Sequence, residues 1–155
     1  MRICKLKKPS EAIRILSSFS DQELERILKK MIFDVESDFW INVEDGFEGN
    51  CYWIPTPDHE LDEEELVGII EIDSSLEPFY KICALSHEVG HYFLHVDQQR
   101  WNETNLIMRE TLAWYIGHEY FKATGYIIDL VEYGKEATRC VDAYVRSING
   151  KIDNE

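Results

Sequence analysis

The sequence predicts a single α+β domain, residues 1–155, in which a small, mostly antiparallel sheet packs on a helical core. Three observations carry this. Segments rich in aromatic and β-branched residues lie in the first half, and long segments of helical periodicity fill the second. A chain of 155 residues with 45% hydrophobic content is long enough for one real core and too short for two comfortable ones. No internal repeat, low-complexity tract or linker divides it.

Taken in order, the segment from Ser10 to Ser18 reads as a short helix. In "SDQELERILKKMIFDVESDF", Ser20 with Glu23 three places on has the form of a capping box. Leu24, Ile27, Leu28, Met31, Ile32 and Val35 then recur at the spacing of an amphipathic packing helix. Aromatic residues mixed with Gly, Asn and Pro place a strand or hairpin near Phe47 to Ile54, followed by an acidic loop holding the "DEEE" run and an exposed His59. "ELVGIIEID" reads as a strand from about Leu66 to Asp73. Beyond it the chain reads as helical almost to its end. Pro78 suits the first turn of the next helix, and the last helices span roughly Asn105 to Ala123, Ile127 to Tyr133 and Lys135 to Ile148, with breaks at "TGY" and "YGK".

Composition narrows the function. With 30 acidic against 16 basic residues the formal net charge is −14, which disfavours direct binding of DNA or RNA and favours a basic protein partner. An alternative is that the charge serves solubility alone. No apolar run is long enough to cross a membrane, and the N-terminus lacks the pattern of a signal peptide. Cys4, Cys51, Cys83 and Cys140 form no CxxC pair and read as reduced cysteines, so a cytoplasmic location is expected.

The stretch "ALSHEVGHYFLH" concentrates the chemistry. On a helix, His87 and His91 are about 40° apart in angle and about 6 Å apart along the axis, so both imidazoles can reach one ion. Glu88 can lean over an open coordination position as a general base. Zinc suits two imidazoles and a carboxylate. By chance alone HExxH arises in about two of a hundred shuffled sequences of this composition, so its surroundings matter. They read as a buried helix, in which two histidines and a carboxylate without partners are costly and a shared metal removes that cost. His95, about 12 Å along the axis from His87 and about 80° around, lies out of reach and is expected to pack or hydrogen-bond near the helix end. A third ligand has candidates in Glu103, Glu110 and Glu119. Glu110 is preferred, because Ala113 and Gly117 after it offer small surfaces for close packing on the metal helix.

The run "IIEIDSSLEPFYKICALSHEVGHYFLH" followed by "MRETLAWYI", about residues 66 to 120, resembles the ImmA/IrrE family of zinc metallopeptidases. The family's pattern is a strand, a helix bearing HExGHxxLH, and a second helix with a glutamate ligand followed by alanine. The resemblance implies His87, His91 and Glu110 as zinc ligands and Glu88 as the base, and Gly90, Leu94 and His95 also fit. One departure is Trp114, where the family often has an acidic or amide residue that supports a ligand. Family members come from bacteria or their mobile elements, phages included, and those characterised cleave a helix-turn-helix repressor. The implied function is hydrolysis of a peptide bond in such a basic repressor, with Tyr115, His118 and Tyr120 as possible donors to the oxyanion or the site rim. Zinc peptidases of this design also present an edge strand to the substrate. Val67, Gly68, Ile69, Ile70, Glu71, Ile72 and Asp73 are the segment expected to do so, with an interior strand as the alternative. A reading from a different class keeps the zinc and drops the hydrolysis, leaving an antirepressor that acts by binding.

Overall fold

The computed structural model describes residues 13–15, 19–35, 40–44, 52–55 and 68–152. The expected α+β domain with a mostly antiparallel sheet is overturned. Helices make up most of the described residues, the strands are three to six residues long, and two of the three strand pairings are parallel.

The strand β1 (Ile13–Ile15) stands where a helix from Ser10 to Ser18 was expected. Ile13 and Ile15 alternate with Arg14, a strand period, and pair in parallel with Tyr126 and Ile128 far along the chain. Helix α1 (Asp21–Val35) forms as the sequence predicts, and the Ser20 hydroxyl accepts from the Glu23 amide at 3.3 Å. Its Leu24, Ile27, Leu28, Met31 and Val35 are buried.

Strand β2 (Trp40–Glu44) has no counterpart in the expected elements; β3 (Tyr52–Pro55) and β4 (Gly68–Asp73) do. β4 is the central strand, parallel to β2 from Trp40↔Ile69 to Glu44↔Asp73 and antiparallel to β3 from Tyr52↔Glu71 to Pro55↔Gly68. A parallel pair needs a long connection, and residues 45–67 between β2 and β4 supply it. Ile70 and Ile72 are buried on one face of β4, while Glu71 alternates to the other.

Helix α2 (Pro78–Val96) lies beneath this face, with Ile82, Leu85 and Val89 in the same core as the β4 isoleucines and α1. Pro78 occupies its first turn, where a missing N–H leaves nothing unpaired. Lys81 ties α2 to α1 through Glu25 at 2.7 Å. A short α3 (Gln98–Glu103), capped by Asp97, leads to α4 (Leu106–Ala123), capped by Asn105, whose side chain accepts from the Met108 amide at 2.9 Å.

Gly125, at φ 97°, ends α4 in the left-handed conformation that glycine adopts without cost, as "TGY" suggested. The expected helix from Ile127 to Tyr133 is corrected. β5 (Tyr126–Ile128) pairs with β1, and α5 (Leu130–Ile152) begins after Asp129, whose carboxylate accepts from the Val131 and Glu132 amides at 3.0 and 3.1 Å. α5 continues through Gly134, so the break expected at "YGK" is absent. One glycine costs a helix about 1 kcal/mol, less than the buried Tyr133 beside it contributes. Leu66, Val67, the "DEEE" run, His59, Cys4 and Cys51 lie outside the described residues.

Candidate metal centre

The site forms where α2 crosses α4 with backbone in contact. A Cβ on Gly90 would fall 1.8 Å from the Ala113 carbonyl oxygen, and one on Gly117 would fall 1.8 Å from that of Ser86. Only glycine permits this approach, and it brings Glu110 on α4 against His87 and His91 on α2.

The Nε2 atoms of His87 and His91 are 3.0 Å apart. One Glu110 oxygen is 3.2 Å from His87 Nε2 and the other is 3.3 Å from His91 Nε2. Glu88, almost fully buried, comes within 3.9 Å of His87 Nε2. His87, Glu88 and His91 each offer a donor atom within 4.8 Å of the others and form a group able to hold a metal ion.

With Glu110 ionised, hydrogen bonds alone cannot account for the inner three contacts. Each Nε2 carries at most one hydrogen. If both carry one, both can serve Glu110, yet the two N–H groups then face each other across 3.0 Å. If only one does, a Glu110 contact has no hydrogen in it. Three lone pairs directed at one cation satisfy every contact, and ligands about 2.0–2.1 Å from a tetrahedral ion stand about 3.3–3.4 Å apart. Electrostatics agree. Burial pushes the His87 imidazole down to about 4, so it is neutral as a ligand must be. Burial acts to raise Glu110, but the two imidazoles beside it outweigh that and hold the carboxyl at about 2, so Glu110 is ionised.

The other expected residues fall elsewhere. Glu119 is nine positions from Glu110, half a turn around α4, and is exposed with its carboxylate 3.8 Å from His118 Nδ1. Glu103 accepts from Gln99 on the exposed side of α3. Tyr115 projects into solvent, 64% exposed. His118 is buried with Nε2 3.3 Å from the Ile128 carbonyl and its ring 5.3 Å from that of Tyr133, which engages it in the junction of α4, β5 and α5. Tyr120 packs on Phe93. His95 meets the edge of Trp101 at 5.2 Å, the packing role expected of it. Val67 is not described, and Ile69 to Glu71 are not the expected edge, because β4 is paired there with β2 on one side and β3 on the other, while among the described residues Gly68 pairs with β3 and Ile72 and Asp73 pair with β2.

Three contributors escaped the sequence reading. Arg109, the residue before Glu110, lies 3.8 Å over the Trp101 ring and donates to the Trp101 carbonyl at 2.7 Å, anchoring the first turn of α4 to α3. Tyr133 of α5 donates to the Trp114 carbonyl at 2.7 Å and shares a 3.0 Å hydrogen bond with the Ser86 hydroxyl, clamping α2 to α4. Trp114 stacks on His87, with ring centroids 4.3 Å apart and planes at 24°. Its place at i+4 from Glu110 was the available signal, since i and i+4 share a helix face.

No protein-family model, curated protein or solved structure matches this chain. What the described residues define is a mostly helical protein with a His–Glu–His group suited to a metal ion.

Proposed function

We propose that the protein is a zinc-dependent endopeptidase that hydrolyses a peptide bond in a protein substrate, a basic helix-turn-helix repressor of a phage or other mobile element. The observation that carries the metal is the set of three mutually short contacts among His87, His91 and Glu110, which no arrangement of imidazole protons satisfies while Glu110 is ionised. Neutral imidazoles with a carboxylate favour zinc. When bound, zinc supplies a Lewis acid that polarises a carbonyl and makes water more acidic. Glu88 is then the general base: its carboxylate takes a proton from the attacking water and hands it to the leaving amine. His87, His91 and Glu110 would hold the metal, with Glu88, 3.9 Å from His87 Nε2, beside it to serve as the base.

The repressor as substrate follows from the resemblance to the ImmA/IrrE family, and the net charge of −14 suits a basic partner better than nucleic acid. An extended peptide pairs with the outer strands β2 or β3, since β4 is paired on both sides from Ile69 to Glu71. No helix among the described residues is long and apolar enough to cross a membrane, and Cys83 and Cys140 are free, which supports a cytoplasmic setting.

The test is Glu88→Gln, with cleavage of a purified basic helix-turn-helix repressor followed by mass spectrometry. The variant keeps its zinc and cleaves on the order of a hundredfold more slowly or worse. Undiminished cleavage would refute the mechanism. Full relief of repression by a proteolytically dead variant would favour the binding module.

A further inference from the structure

We infer that Trp114 is a positioning residue for His87: the stacked indole face, in place of a hydrogen bond to Nδ1, holds the imidazole with Nε2 aimed at the metal. This rests on the metal reading above. An imidazole ligand is ordinarily aimed by a hydrogen bond from its other nitrogen to a carboxylate, carbonyl or water. His87 Nδ1 is buried and has no such partner among the described residues. The ring has a different constraint, the Trp114 indole nearly parallel to it at 4.3 Å.

Trp114 is itself held. It is 5% exposed, the Tyr133 ring meets its edge at 5.3 Å and 66°, and the Tyr133 hydroxyl fixes the backbone of the same residue at 2.7 Å. The indole N–H is buried without a partner among the described residues, so the aromatic face and not the polar handle meets the ligand. His91 in turn meets His87 edge-on at 4.4 Å and 74°. A line of ring contacts therefore runs from Tyr133 through Trp114 to both imidazoles. It accounts for a tryptophan where the resemblance leads one to expect an acidic or amide side chain.

The experiment compares wild type, Trp114→Phe and Trp114→Met, since methionine fills apolar space without an aromatic face. Zinc dissociation constants come from chelator competition, ligand geometry from the visible spectrum of the cobalt-loaded protein, and folding from the thermal midpoint without metal. Trp114→Phe binds within about threefold of wild type with an unchanged cobalt spectrum, and Trp114→Met loses roughly 10–100-fold in affinity with a shifted spectrum, the range seen when a group supporting a ligand is removed. Affinity in Trp114→Met equal to wild type overturns the inference, as does a loss in Trp114→Phe equal to that in Trp114→Met. Should Trp114→Met not fold, Trp114→Phe decides alone: retained affinity without the indole N–H supports the stack, and lost affinity overturns it. Equal affinities in all three proteins overturn this inference only, whereas a wild type that takes up neither metal overturns the metal reading with it.

Discussion

The α2–α4 helix pair and the strands differ in what holds them together. The residues that mark the site on each helix are set by short spacings: four residues between His87 and His91, three from Glu110 to Ala113, four more to Gly117. The strands depend on partners far away in sequence. β1 meets β5 more than a hundred residues on, and β4 lies between β2 and β3. The helix crossing therefore tolerates no added atom, while the strands depend on keeping their pairing.

The largest expected effect is at the crossing. Gly117→Ala or Gly90→Ala forces a methyl to 1.8 Å from a carbonyl oxygen of the facing helix, and neither backbone can move without separating Glu110 from the histidines. A loss of about 3 kcal/mol or more in urea unfolding is expected, with loss of metal binding. Stability near that of wild type would show that the helices are not in backbone contact.

Proline in β4 comes next. Because Ile70 and Glu71 lie between two paired strands, proline at either position removes a donor from the middle of the sheet, and circular dichroism melts should lose their cooperative transition. A folded, zinc-loaded proline variant with impaired cleavage would restore β4 as a substrate edge. Tyr133→Phe then removes the hydroxyl joining Ser86 to the Trp114 carbonyl, at a cost of about 1–3 kcal/mol in chemical unfolding. An unchanged midpoint would mean that the clamp carries no stability. The smallest effect belongs to Phe33→Ser on the outer face of α1, 74% exposed, where a change within about 0.5 kcal/mol is expected. A larger loss would reveal a surface covered in solution.

Legibility followed the same division. The capped α1, the start of α2 at Pro78, the span of α4 and the approach of Glu110 to the histidines were all readable from local spacing. Ile13 to Ile15 and Ile127 to Ile128 were misread as helical, because three-residue strands carry too little periodicity to show against their neighbours and are defined by each other. Gly134 was read as a stop, yet α5 runs through it with Tyr133 anchored beneath. Trp114 was noticed as a departure, but its stacking on His87 depends on the crossing of two helices, which spacing within one helix does not reveal.

The central claim is that His87, His91 and Glu110 hold one zinc ion. Metal content after dialysis against a chelator, with dissociation constants, tests it most directly in wild type, Glu110→Ala and Glu119→Ala. One zinc per chain is expected for wild type and Glu119→Ala, and affinity weakened by at least about tenfold for Glu110→Ala. Zinc retained by Glu110→Ala and lost from Glu119→Ala would contradict the account.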